Sequence, residues 1–219
     1  MAFKNLTIRA RIGFTMAFLA VLLGVIGGLG VYGMTRANGT TREIFKNQMP
    51  SAVDVSLAEI YSARERLALD RAALLAGTPD AAAAIERSRG MRAQSDTWWQ
   101  KYLALPRGPE EDRIAQDVAA KRQALQHECD AFASVLGANQ ADRIGDGAKQ
   151  LQARYTDLST ASEALRNYQF SDAQANFDHA ESVYETLRVL AIVALVAGFA
   201  AAVVSWLTLS RAIGRPIAD

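Results

Sequence analysis

The sequence predicts an all-α protein, an up-down-up-down four-helix bundle held between two transmembrane helices. Three observations predict it. Two uncharged apolar stretches, residues 12–34 and 189–210, flank a polar middle. That middle repeats apolar residues at steps of three and four, the period of helices that pack side by side. Gly and Pro punctuate it at intervals that fit helices joined by short loops, and no stretch alternates as a strand would.

The organisation follows in order: residues 1–11 a cytoplasmic amino terminus, 12–34 a first span, 35–188 an exported bundle, 189–210 a second span, and 211–219 the start of a cytoplasmic linker. Ile12 to Met34 follows the basic residues Lys4, Arg9 and Arg11. It is longer than a secretory h-region and lacks a clean small-residue cleavage site, which predicts an uncleaved anchor. Gly24 and Gly28 form a small-xxx-small pattern that lets membrane helices approach closely. Val189 to Ser210 would rise about 33 Å at roughly 1.5 Å per residue, enough to cross the hydrocarbon core. No Gly or Pro separates Ala148 from Val189, so the last bundle helix reads as continuous with this span.

The formal net charge of +1 is unevenly spread. Lys4, Arg9, Arg11, Arg211 and Arg215 lie outside the middle, as does Asp219. The middle therefore keeps 19 of 24 basic and 22 of 23 acidic residues, a net of −3. Basic flanks place both termini in the cytoplasm and the bundle outside. The balance offers no electrostatic footprint for nucleic acid. The single cysteine, Cys129, allows no intrachain disulfide.

In the first bundle helix, Pro50 removes a backbone donor and predicts a kink or short break near Met49. Val53, Leu57, Ile60, Arg64, Leu67, Arg71 and Leu74 then form a heptad seam read as the core face. Gly77, Thr78 and Pro79 read as a C-terminal stop, an N-cap and a first helical residue. The second helix, from about Asp80 to Ala104, opens on alanines and closes on Trp98, Trp99 and Tyr102, read as core and interface anchors. Pro109 and the acidic run Glu110, Glu111 and Asp112 start the third. Its seam is Ala115, Val118, Arg122, Leu125, Cys129, Phe132 and Leu136. Residues 138–147, with two glycines and two aspartates, read as a turn. The fourth helix begins near Ala148, carries Leu151, Tyr155, Leu158 and Leu165 on one face, and then shifts its seam to Phe170, Phe177 and Tyr184.

Arg64 and Arg71 are the strongest chemical signal. Each needs an anion if buried, either a neighbouring carboxylate or a carboxylate ligand gripped in the bidentate way of guanidinium. Arg122 beside Cys129 reads as packing and ion pairing. His127 with Cys129 lacks the further ligands a metal site needs. No phosphate loop, nucleophile elbow or HExxH pattern occurs, so the sequence predicts neither an enzyme nor a cofactor.

Three stretches carry a resemblance. FKNLTIRARIGFTMAFLAVLLGVIGGLGVYGM is similar to the first span of bacterial methyl-accepting chemotaxis receptors of the aspartate/serine type. WWQKYLALPRGPEEDRIAQDVAAKRQAL resembles their second bundle helix, Leu-Pro loop and acidic third-helix start. LSRAIGRPIAD looks like the opening of a HAMP linker, with Pro216 at its characteristic proline. The resemblance implies a homodimer that senses a small molecule, often an amino acid or dicarboxylate, at the distal subunit interface. It also implies a truncation at HAMP, with a histidine kinase and its adaptor contacted by a cytoplasmic region beyond. Arg64 matches the first ligand arginine of the family. The next two would fall at Leu69 and Ala73 and are absent, and the family's Tyr, Gln and Thr of the fourth helix are not reproduced. Arg143, Arg154, Tyr155 and Thr156 are the polar candidates there. These departures leave aspartate open and point to an anion of another shape. The same topology also fits the input half of a sensor histidine kinase or cyclic-dinucleotide enzyme, or a stand-alone membrane adaptor.

Overall fold

A computed structural model describes residues 8–214, all of them in helices or in the short turns between helices. Lys4, Arg215 and Pro216 lie outside the described residues. Helix α1 spans Ile8–Glu43 and α2 spans Met49–Leu74. Between them Ile44–Gln48 winds as a π-helix, with the Met49 N–H bonded to the Ile44 carbonyl. Pro50 explains the break, because it cannot donate to the carbonyl four residues back, and the wider winding absorbs the mismatch just upstream.

Helix α3 spans Pro79–Leu103 and α4 spans Pro109–Gly137. Gly77 stops α2 in the left-handed region at φ 80°, where a side chain would be strained. Thr78 occupies the extended N-cap position of α3, yet its hydroxyl turns back and donates to the Leu75 carbonyl at 2.7 Å. Glu110, Glu111 and Asp112 occupy the first turn of α4, facing the positive end of its dipole.

Helix α5 spans Ala141–Gly214, so the turn before it is far shorter than residues 138–147. Asn139, at φ 52°, makes that turn almost alone. Gly147 is not a breaker but a close approach. A Cβ there would sit 2.5 Å from Cδ2 of the fully buried Phe132 ring. Gly147→Ala is therefore expected to destabilise the bundle by about 1–3 kcal/mol, despite a helix-propensity gain of up to about 1 kcal/mol. Chemical denaturation checks this, and adding Phe132→Leu should restore most of the loss.

The chain divides into two compact units, residues 42–175 and residues 1–41 with 176–219. The first is the bundle. Its core takes Val55, Ala58 and Leu69 from α2, Trp99 and Tyr102 from α3, Leu125 and Phe132 from α4, and Leu151, Leu158 and Leu165 from α5. The α4 seam is buried at every position expected, Ala115 to Leu136. The α2 seam is not. Val53, Ile60, Leu67 and Leu74 face outward, Leu74 at 87% exposure. The buried face of α2 is instead Ser51, Asp54, Val55, Ala58, Ser62, Glu65, Ala68, Leu69 and Ala72. Small residues on that face let α3 pack close, and its polar groups find partners, so Arg64 and Arg71 are exposed rather than buried in the core.

The second unit pairs the two apolar segments, each with an 18-residue window of mean hydropathy above 2. Both are long and apolar enough to cross a membrane, and their side chains are largely exposed, as lipid-facing chains would be. Thr15 and Ser205 hydroxyls meet at 3.1 Å, and Leu22 packs against Gly198. Gly33 receives Leu187, whereas Gly24 and Gly28 have nothing within 4 Å, so the paired segments do not meet at the small-xxx-small motif.

Candidate functional site

The alanine run that opens α3 shapes the site. Ala81 and Ala84 are buried, as are Ala68 and Ala72 of α2, and such small residues suit a close approach of the two helices. The result is a groove of about 640 Å³ lined by Arg64, Leu67, Ala68 and Arg71 of α2, by Leu75 just after it, and by Asp80, Ala83, Ala84, Arg87 and Met91 of α3. The helices are antiparallel, so counting outward from Gly77 puts Arg87 between Arg71 and Arg64 in height, on the opposite wall.

Asp80 is the one carboxylate lining this groove, and the groove's arginines do not pair with it. Among the described residues, Arg64, Arg71 and Arg87 make no ion pair and donate no side-chain hydrogen bond. Arg64 only overlies the Tyr61 ring, at 5.0 Å from its centroid. Other bundle arginines behave differently. Arg92 donates to Glu65 and Asp130 at 2.7 Å each, Arg107 to Asp112 at 2.7 Å, Arg122 to Asp96 at 2.9 Å, and Arg166 to Glu59.

A second groove, of about 390 Å³, runs between α2 and α5 and shares Arg64 with the first; Ser56, Glu59, Ile60, Ala63, Tyr155 and Arg166 complete it. Tyr155 lies under the Arg66 guanidinium, 5.0 Å from the ring centroid, and burial with help from Glu59 raises its pKa. Arg143, Arg154 and Thr156 line neither groove. Arg143 donates to Gln140, Arg154 pairs with Asp157 at 3.7 Å, and Thr156 bonds the Gln152 carbonyl one turn back. The fold therefore brings Arg64 together with Arg71 on one side and with Tyr155 on the other. Arg87 and Asp80 were missed from sequence. Pairing α2 with α3 about the Gly77 turn would have found them.

A buried polar frame holds the groove walls. The Glu65 carboxylate, 1% exposed, accepts from Arg92, which also donates to the Gln126 carbonyl of α4 at 3.2 Å. Burial pushes the Glu65 carboxyl above its ordinary range, and Arg92 offsets only part of that. Arg122 donates to Ser95 at 2.9 Å, and Ser95 meets the Ser62 hydroxyl at 2.9 Å. Arg122 is thus a paired core residue, as its surroundings in the sequence suggested. Burial raises the Cys129 thiol far above the usual range, with Glu65 adding to it, so the thiolate is disfavoured.

At the other end of the bundle one Glu111 oxygen collects bonds from three helices. Tyr102 Oη donates at 3.2 Å, Ser51 Oγ at 3.3 Å and Gln169 Nε2 at 2.9 Å. The acidic start of α4 therefore ties the bundle together as well as complementing the positive end of that helix's dipole.

Comparison with known families decides the membership. A family model described as the Tar ligand binding domain homologue matches residues 2–173. The chain belongs to this family. A search of the curated proteins found no match. The Tar ligand binding domain homologues are sensor domains of chemoreceptors, ligand-binding rather than catalytic. The match runs from the first apolar segment through the whole bundle into α5. The protein carries a helical chemoreceptor sensor domain, with a helix long and apolar enough to cross a membrane on either side of it in the sequence.

Proposed function

We propose that this chain is the sensing and membrane-spanning part of a methyl-accepting chemotaxis receptor in a bacterial inner membrane. It senses a small anion, a carboxylate or an amino acid, on the periplasmic side. The observation that carries this reading is the groove in which Arg64 and Arg71 lie exposed with no ion pair among the described residues. Guanidinium groups left unpaired at a concave surface favour a carboxylate, which they hold through paired hydrogen bonds.

The chain works as a homodimer. The outward α2 stripe has the period of a coiled-coil seam, and a second copy of the same helix suits it. Arg64 and Arg71 lie along that stripe, so ligand binding and subunit contact share one helix. Helix α5 links the bundle to the second span, as its bounds Ala141–Gly214 support. The signal would leave through that span into a HAMP linker and onward to a histidine kinase and its adaptor. Such transmission carries only the differential binding free energy of the two states, typically about 1–3 kcal/mol.

The test is a carboxylate and amino-acid screen on the full chain in nanodiscs, read by calorimetry and thermal shift. A binder is expected. Arg64→Ala should weaken it by about 1.5–3 kcal/mol, the value of a charge-assisted hydrogen bond, and leave the ligand-free melting temperature unchanged. No binder among carboxylates and amino acids would sink the reading.

A further inference from the structure

We infer that Ser51, Tyr102, Glu111 and Gln169 form a latch that fixes the register of α5 against α2 where α5 leaves the core, and that this latch opens without unfolding the rest of the bundle. The inference rests on the proposed route of the signal through α5. It goes further, because it names the contact that holds that helix at its exit.

The four residues share one place in the bundle. Ser51 is the first buried residue of α2 and Tyr102 the last of α3, while Gln169 is the last that α5 buries before residue 175. Glu111 stands in the first turn of α4. All four helices therefore end their packing on a single layer. One turn further in, the same helices supply Val55, Trp99, Ala115 and Leu165, all buried. On the other side the π-turn Ile44–Gln48 buries no residue, and the Gln48 amide reaches Asp172 only at 3.5 Å.

The chemistry of the layer sets what it does. Burial of apolar surface is non-directional. Hydrogen bonds are directional and fail beyond about 3.5 Å. Gln169 Nε2 donates to Ser51 Oγ at 2.6 Å and to Glu111 Oε1 at 2.9 Å, which ties α5 to α2 and α4 at once. Ser51 and Tyr102 donate to the same Glu111 oxygen. A carboxylate acceptor strengthens such bonds, and a slide of α5 breaks both bonds of Gln169 together. The layer also favours its own release. Gln169 Oε1 is buried with no hydrogen-bond partner among the described residues. Opening hydrates that oxygen and uncovers little apolar surface, so this end parts at a free energy below that of the whole bundle.

The test is hydrogen exchange on the full chain in nanodiscs without ligand, read by mass spectrometry. Glu111→Ala should speed exchange at residues 51–56 of α2 and 166–175 of α5 by about ten- to a hundredfold, the range of a charge-assisted hydrogen bond. Residues 125–136 of α4 should exchange as before. Gln169→Leu should speed the α5 segment more than the α2 segment, because Ser51 still donates to Glu111. Tyr102→Phe keeps the buried ring and removes one donor, so it should act on the same two segments more weakly. These two variants decide the matter if Glu111→Ala does not fold. Faster exchange through all four helices alike would make the layer an ordinary part of one cooperative core and overturn the inference. Unchanged exchange in every variant would show that apolar packing alone holds α5, and would overturn it too. Neither result bears on anion sensing, since no ligand is present.

Discussion

Arg92→Ala is expected to cost the bundle about 3–5 kcal/mol, the loss seen when one partner of a buried ion pair is removed. The reason lies in what it leaves behind. Glu65 is 1% exposed and its counter-charge comes through the 2.7 Å bond from Arg92 Nε. Without Arg92 the carboxylate faces Cys129 and the neighbouring negative charge of Asp130. The double substitution Glu65→Leu with Arg92→Leu should recover most of the stability, because an apolar pair of similar volume avoids both desolvation costs. The pH dependence has a definite sign. Burial holds the folded-state pKa of Glu65 above its unfolded value, so the folded protein binds this proton more tightly. The stability that the protonated form confers is present at acid pH and falls as pH rises from the unfolded carboxylate range through the folded pKa. Removing Arg92 raises that pKa further and extends the loss to higher pH. Melting temperatures of the variant should therefore drop more steeply than those of the parent as pH rises above the unfolded carboxylate range. A parallel pair of curves would show that Arg92 does not set the ionisation of Glu65.

Glu65 also shows where sequence reading reached its limit. Along α4 the expected seam and the buried face coincide, Ala115 through Leu136, because that helix has a single apolar stripe and one place to put it. Even Arg122 fell on the correct face, with Ser95 and Asp96 as its partners. Helix α2 has two competing faces. Its large apolar residues, Val53, Ile60, Leu67 and Leu74, repeat with the period of a packed helix and point outward. Its true core face is small and polar, and hydropathy ranks it second. Ser62 is accommodated there by Ser95 and the Ala58 carbonyl, and Ser51 by Gln169 and Glu111. Periodicity shows that a face is covered, not by what. The same limit shaped the site. Arg64 and Arg71 were legible as a pair, since one helix carries both. Arg87 was not, because its place in the groove depends on how α3 lies against α2. Arg143, Arg154 and Thr156 were drawn from the family's fourth helix, and in this chain each is bonded on its own helix or at its start.

The outward stripe of α2 gives the second large effect. On the proposed homodimer, Val53→Lys with Ile60→Lys is expected to give a monomer while leaving the bundle folded. Both side chains are about half exposed in the single chain, so neither supports the core. In a twofold interface each position occurs twice, and four apolar side chains would be withdrawn from contact at about 1.5–3 kcal/mol each. Four lysines would also be brought together. Even allowing for incomplete burial, the dissociation constant should rise by at least about a thousandfold. Neither position lines the α2–α3 groove, so anion binding to the monomer measures that groove without its neighbour. Light scattering on the full chain in detergent reads the mass, and circular dichroism confirms that the helices persist. An unchanged mass with intact helices would place the subunit contact on another face.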